Sequence, residues 1–418
     1  MTGLLPHNHG VLHVEHTVED DQCVLRLDKP HFAQHLSRTG YRTGYFGKWH
    51  IERTNELEPF GWQESIVTGR KDLHPNHTMG TVAQKSTFVE QYHLRGPRGY
   101  GDRLHHAVVE QSPYERDMGA PAAAAKPFLD DALANDQPWC CCVSFSQPNE
   151  AMICGKEAFK QYDVDDVELP RTIDDDLSGR PGIYRRSQRA FASLTKKDWQ
   201  RANAIYQASI TELDSLFGEL IDRIEAAGEL DNTIIIFTSD HGKYVGEHGM
   251  DSHNFGAFEP IYTIPLVVAG PGVAQGQVSR ARVGLHDLCP TLLELAGAEP
   301  IDMPDSKSFV PVLRHPEAAT PEFLTGFAES EGTRLVCTQR VVWDGEWKFV
   351  FNGFDEDELY NLHDDPDEMT NLAADPAHRE TLERMTSMMW QRARETGDTT
   401  ILDTHYYPMR IAAVGPDA

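Results

Sequence analysis

The chain has 418 residues, 40% apolar and 25% charged, enough to bury the core of one large α/β domain with an appendage. Its formal charge of −27 at pH 7 excludes nucleic acid as an expected partner, because phosphates are bound by clustered Lys and Arg. No apolar stretch reaches the length of a membrane helix, so no membrane association is expected.

In chain order, Lys29–Thr39 is predicted as a helix feeding a strand over Gly40–Trp49. Residues 51–137 mix Pro, Gly, His and charge without periodicity and read as long loops above a sheet. Trp139–Phe145 reads as a buried strand, and 148–170 as irregular. Cys140, Cys141 and Cys142 are consecutive on that strand, where neighbours face opposite ways, so they suit neither a disulfide nor a shared metal. They read as buried free thiols of a reducing compartment, which favours the cytoplasm, as does the lack of a leader in the chain as given.

Thr195 and Asp198 predict a capping-box helix start. Ile210, Leu213, Phe217, Leu220 and Ile224 then repeat at helical spacing up to a stop at Gly228. A strand follows over Asn232–Thr238, whose apolar run Ile234–Phe237 predicts burial of both faces. Ile264–Ala269 is a further strand and Asp287–Leu295 a further helix. Beyond about residue 321 the composition changes: Val341–Trp343 and Trp347–Phe351 flank Asp344-Gly345, a favoured hairpin turn, and His378–Arg394 reads as a helix. The fold expected is α/β, a doubly wound, mostly parallel sheet flanked by helices over 1–324, with a smaller α+β subdomain over 325–418.

The strand over Asn232–Thr238 ends in Ser239-Asp240-His241-Gly242-Lys243. This sets a carboxylate and an imidazole at the C-terminal edge of a parallel sheet, where open α/β folds hold their chemistry. The pair suits a divalent cation; in isolation it reads as well as a helix cap beside a loop histidine. Lys48 and His50 lie two apart on their expected strand and so share a face, the plainer alternative being a solvated Lys and a capping His.

The stretch Asn232–Met250, with Ser239-Asp240-His241-Gly242 and Gly246-Glu247-His248-Gly249, resembles the metal-binding segment of the sulfatases, members of the alkaline-phosphatase-like superfamily. Gly40–His50, ending Gly47-Lys48-Trp49-His50, resembles the family's second signature. Glu358–Leu362 leading into Asp365–Glu368 and Asn371-Leu372 is similar to its closing subdomain. The resemblance implies a metal-dependent hydrolase of sulfate monoesters, acting on a small-molecule or carbohydrate ester. Asp240 and His241 align with metal ligands, Lys48 with the sulfate-contacting lysine, and His50 with the histidine that assists the nucleophile. One divalent cation is implied, Ca2+ first, with Mn2+ or Zn2+ as the alternatives that the His241 imidazole favours.

Three positions depart from the family pattern. Where a substrate histidine follows a proline, the chain reads Pro148-Asn149; Asn149 can bind an oxyanion but not act as an acid. Where a leaving-group lysine is expected, His253 stands and could serve as the acid, while Lys243 reads as solvent-facing. The Cys/Ser-x-Pro-x-Arg motif that carries the nucleophile, a formylglycine or a hydroxyl, is absent from the sequence and would lie upstream of Met1. The chain is therefore expected to be an incomplete hydrolase. A phosphonate or phosphate monoesterase of the same superfamily, and a non-catalytic oxyanion-binding shell, are the alternatives.

Overall fold

The computed structural model describes residues 1–13, 25, 27–52, 54–68, 86–149, 151–253, 256–301, 303–317, 323–332 and 337–418. Helix α1 (Phe32–Arg38) starts later than predicted, because Pro30 disfavours the α region for Lys29 and His31 is extended. It leads into strand β1 (Arg42–Gly47). Next come β2 (Glu64–Val67), β3 (Phe88–Leu94), β4 (Arg103–Val109), helix α2 (Ala120–Leu133), β5 (Trp139–Ser144) and β6 (Met152–Gly155). The long helix α3 (Lys196–Ala226) precedes β7 (Ile235–Thr238), α4 (Glu259–Tyr262), β8 (Leu266–Ala269) and α5 (Leu288–Leu295). The C-terminal part holds β9 (Thr325–Ser330), β10 (Gln339–Asp344), β11 (Trp347–Asn352), β12 (Glu358–Asn361) and α6 (Arg379–Thr396).

The architecture is mixed α/β with helices flanking parallel strands, as expected, but the central sheet comes in two pieces. β1 lies between β2 and β5, parallel to both, whereas β7 pairs antiparallel with β8. Every residue of β5 is partly exposed, and Phe237 in β7 is 42% exposed, so the apolar run of β7 does not bury both faces. Helix α3 underlies both pieces: Leu216 and Leu220 share a core with Cys141 and Val143, and Phe217 packs on Phe237 at 5.3 Å between ring centroids. Its capping box forms, with Thr195 N–H donating to Asp198 Oδ2 at 2.8 Å. Ile210, expected in the apolar stripe, is exposed; Glu212 lies inside and is neutralised by Arg116 at 2.6 Å.

Residues 51–137 and 148–170 are not simply loops. They supply β2, helix α2 and the sheet β3-β4-β6, in which β4 runs antiparallel to β3 and parallel to β6. On β5, Cys140 and Cys142 join the core around Trp49 and Cys289, and Cys141 joins the opposite one, the alternation a strand requires. Burial pushes the Cys140 and Cys142 thiols up to about 12, so neither is a thiolate at neutral pH. Cys23 lies outside the described residues.

The C-terminal sheet runs β12-β11-β10-β9, antiparallel throughout. Asp344 pairs with Trp347 across the predicted turn, and α6 buries Leu382, Met385, Met389 and Trp390 against Phe349, Phe351 and Leu359. Among the described residues no helix is long and apolar enough to cross a membrane.

Between β11 and β12, burial pushes the Asp357 carboxyl up to about 7, against the bond it accepts from Asn352 N–H at 2.9 Å and with Glu358 and Glu356 adding to the rise. The folded form thus binds a proton that the unfolded chain releases near pH 3.8, so stability falls as pH rises from about 4 to 7. Asp357→Asn keeps an acceptor for Asn352 and is expected to flatten that slope. It should stabilise the protein at pH 8 by roughly 1–2 kcal/mol, the full linkage value being reduced by partial solvent access. Urea midpoints from pH 4 to 8 check this; parallel profiles for the two proteins would contradict it.

Candidate metal and oxyanion site

β7 delivers the chain into the turn Ser239–Gly242. Ser239 Oγ donates to His241 O at 2.9 Å, and His241 N–H donates to Asp240 Oδ1 at 3.1 Å. Helix α4 backs the turn: Gly242 N–H donates to Ile261 O at 2.8 Å, and a Cβ at position 242 would sit 1.8 Å from Pro260 O. Only glycine fits there. His241 Nδ1 lies 2.9 Å from Gly242 O; a carbonyl only accepts, so Nδ1 carries the proton and the Nε2 lone pair is left over. That Nε2 is 3.6 Å from Asp240 Oδ2, and the Asp240 side chain is 61% exposed. An open carboxylate facing an imidazole lone pair fits a divalent cation.

Lys48 Nζ approaches Asp240 Oδ2 at 3.4 Å. Partial desolvation would raise the Asp240 carboxyl; the Lys48 ammonium outweighs it and holds the group below its ordinary value. Lys48 is not on a strand, contrary to expectation. β1 stops at Gly47, whose φ is +119° and whose Cβ would fall 1.9 Å from Ser144 O, and Lys48 N–H donates to that same carbonyl at 2.9 Å. Lys48 and His50 still flank a fully buried Trp49, with His50 exposed. Because Gly47 pairs with Ser144 in parallel register, the chains carrying His50 and Asn149 leave the sheet at the same edge. Among the described residues, the buried Asn149 Oδ1 has no hydrogen-bond partner.

The His253 ring stacks on His241, 4.0 Å between centroids and 5° apart. Burial, then cationic neighbours that include Lys243 and Lys48, push His253 down to about 3, so it is neutral in the free protein. Lys243 is not solvent-facing. Its side chain is 5% exposed and its Nζ lies 2.9 Å from Asp251 Oδ1. His105 Nε2 meets the other oxygen of Asp251 at 3.0 Å, and His105 Nδ1 meets His106 Nδ1 at 2.9 Å. His105, His106 and Asp251 were not singled out from the sequence. The signal available was a pair of histidines within an otherwise apolar run, His105-His106-Ala107-Val108-Val109. A cavity of about 2050 Å³ opens from Asp240 and His241 past Arg282 and Asp287, more space than a bare oxyanion fills.

A second cluster has ligand-like spacing, His7 with Glu329 and Asp398. His7 Nδ1 meets Glu329 at 2.9 Å, while Nε2 lies 3.0 Å from the Asn8 amide nitrogen and 3.2 Å from Thr396 O. Burial would lower this histidine, yet Glu329 and Asp398 raise it. Arg340 Nε lies 2.7 Å from Asp398 Oδ2. Through His7, Glu329 and Arg340 the cluster joins the N-terminal segment to β9 and β10.

No Cys-x-Pro-x-Arg or Ser-x-Pro-x-Arg occurs in the 418 residues. The residues present therefore do not fit a formylglycine nucleophile.

A family model described as Sulfatase matches residues 1–298, and one described as N-sulphoglucosamine sulphohydrolase, C-terminal, matches 246–395. A choline-sulfatase of Rhizobium meliloti (strain 1021) is 30% identical over 375 residues, covering 86% of this chain and 70% of that protein. The phosphonate monoester hydrolase of Silicibacter pomeroyi superposes with a TM-score of 0.73 at 21% identity, over 96% of this chain and 85% of the other. BT4656, solved with its substrate D-glucosamine-2-N,6-O-disulfate, gives a TM-score of 0.70 at 19% identity, over 95% of this chain and 87% of the other. The fold is that of the alkaline-phosphatase-like superfamily of hydrolases. Within it, the chain belongs to the sulfatase family, whose members are metal-dependent sulfuric ester hydrolases.

Proposed function

We propose that the chain carries the metal- and oxyanion-binding half of a site that cleaves sulfate monoesters of a small molecule or carbohydrate, with its catalytic part in 1–324 and a subdomain over 325–418. The observation that carries this is the convergence of Lys48, Asp240, His241 and His253 at the exit of β7. Asp240 Oδ2 and His241 Nε2 would hold one divalent cation, Ca2+ first and Mn2+ or Zn2+ where the imidazole decides. When bound, the cation supplies positive charge that polarises the sulfuryl oxygens. Lys48 contacts one of those oxygens, Asn149 offers its amide from the neighbouring loop, and His50 assists the attacking group. His253 handles the leaving alcohol. It is neutral in the free protein, so it acts as the acid only if the negative charge of the bound ester raises it enough to take up a proton.

His241, an imidazole rather than an all-oxygen ligand set, supports a second reading, cleavage of phosphonate or phosphate monoesters. Bound metal and hydrolysis of aryl sulfate and aryl phosphonate, measured in parallel, test the two. Metal with sulfate preference supports the first reading and phosphonate preference the second; no metal binding would overturn both. In an active form, His253→Ala is expected to slow alkyl esters about 100-fold and activated aryl esters little, because a good leaving group needs no proton. Equal losses on both classes would remove its role as the acid.

A further inference from the structure

Lys243 and Asp251 lie two residues from His241 and His253 respectively, on two chain segments that run past each other in opposite directions. Tyr244 N–H donates to Ser252 O at 3.2 Å and Gly246 N–H to Met250 O at 2.8 Å, so 244–252 closes like a hairpin. Across it stand two side-chain contacts in matching register, the 4.0 Å stack of His241 with His253 and the 2.9 Å pair of Lys243 with Asp251. The loop between them is strained. Val245 (φ 42°), His248 (φ 52°) and Ser252 (φ 81°) are all left-handed and none is glycine; for a β-branched valine this is a true outlier.

Such a loop persists only when its surroundings over-determine it. Asn203 Nδ2 donates to Val245 O at 2.9 Å, Gln188 Nε2 to His248 O at 2.9 Å, and His248 Nδ1 meets Asp175 Oδ2 at 2.8 Å. These bonds fix the far end of the loop. At the near end, where His253 sits, Asp251 is gripped from both sides by Lys243 and by His105 of β4.

We propose that the buried Lys243–Asp251 ion pair, anchored by His105, is the positioning element that holds the His253 ring face-on over His241. Lys243 and Asp251 touch no reacting atom in this scheme. They set the distance between the imidazole that would ligate the cation and the one that would serve the leaving group. The proposal rests on the assignment of His253 to the leaving group, yet its geometry can be read without turnover.

The test uses the full chain with ¹³C-labelled histidine and reads the ring-proton shifts of His241 and His253, the latter assigned from its loss in His253→Gln. Stacked rings displace each other's signals upfield. Lys243→Met is expected to lose that displacement while the near-UV circular dichroism stays native, and Lys243→Arg to restore it. A folded Lys243→Met with unchanged His253 and His241 shifts would overturn the proposal. If Lys243→Met does not fold, Asp251→Asn is read instead; its amide keeps a contact to His105 but cannot hold the Lys243 charge, and unchanged shifts would again overturn it. Broadening of the His241 signal by Mn2+ in the unsubstituted protein reports on the metal assignment separately, so failure of that reading is distinguishable from failure of this one.

Discussion

Asp240→Ala is expected to abolish divalent-cation binding at the exit of β7, with a loss of affinity of roughly 100-fold or more. Outer-shell partners of metal sites already cost 10- to 100-fold, and Asp240 would be a direct ligand. Its carboxylate is the only group in the Ser239–Lys243 turn that brings negative charge to the cation, and His241 Nε2 alone is a single neutral donor. The substitution also frees Lys48, whose ammonium lies 3.4 Å from Asp240 Oδ2 and would then repel a cation with nothing to offset it. Titration calorimetry with Mn2+ and then Ca2+ measures the effect, and in an active form ester turnover should vanish with the metal. Undiminished binding in Asp240→Ala would remove the site assignment altogether.

The largest stability effect is expected far from that turn. Lys348 is fully buried on β11, with Nζ 2.7 Å from Glu368 and 2.9 Å from Glu259. Lys348→Ala strands two carboxylates, one of them 1% exposed, and removing one partner from a buried charge cluster costs about 3–5 kcal/mol. Glu259 also accepts from Trp343 Nε1 at 2.8 Å and opens α4, the helix whose Ile261 carbonyl receives Gly242 N–H. The C-terminal sheet therefore supports the Ser239–Lys243 turn through the short helix α4. Lys348→Ala should lower both the urea midpoint and the Mn2+ affinity. The triple change Lys348→Met, Glu259→Gln, Glu368→Gln should recover most of the stability, since no charge is then left unpaired. A stability loss below about 1 kcal/mol in Lys348→Ala would mean that water reaches the cluster.

What the sequence made legible had its cause close by in the chain. The Thr195 and Asp198 capping box, the Asp344-Gly345 turn and the spacing of Leu213, Phe217, Leu220 and Ile224 each operate within a few residues, and the corresponding elements stand where expected. Helix α2 was hidden by Pro121 and by Pro127 inside it, although its buried Ala122, Ala125, Phe128 and Leu129 keep a helical stripe. β4 was hidden by His105 and His106, which look like loop residues until Asp251, 146 positions away, supplies the partner that allows His105 to be buried. Lys243 looked solvated for the same reason, its partner lying across a loop with left-handed residues that no local pattern announces. Asp240 and His241 stood out at the end of an apolar strand and Lys48 beside its own. Resemblance added the roles expected of them and of His253, and their mutual distances came only from the fold.

The divided central sheet also governs how the molecules behave toward one another. Among the described residues β5 and β7 each pair on one side only, and Phe237 and Val267 beside the open edge are 42% and 60% exposed. Unpaired backbone flanked by apolar side chains is a template for strand addition from a second molecule. Against it stands a charge of −27, whose repulsion extends over about 10 Å at 0.1 M salt and only about 3 Å at 1 M. Concentrated salt leaves the buried ion pairs intact but strips away this long-range repulsion. Colloidal stability in this protein is thus a property of its acidic surface, and it fades with ionic strength well before the core does.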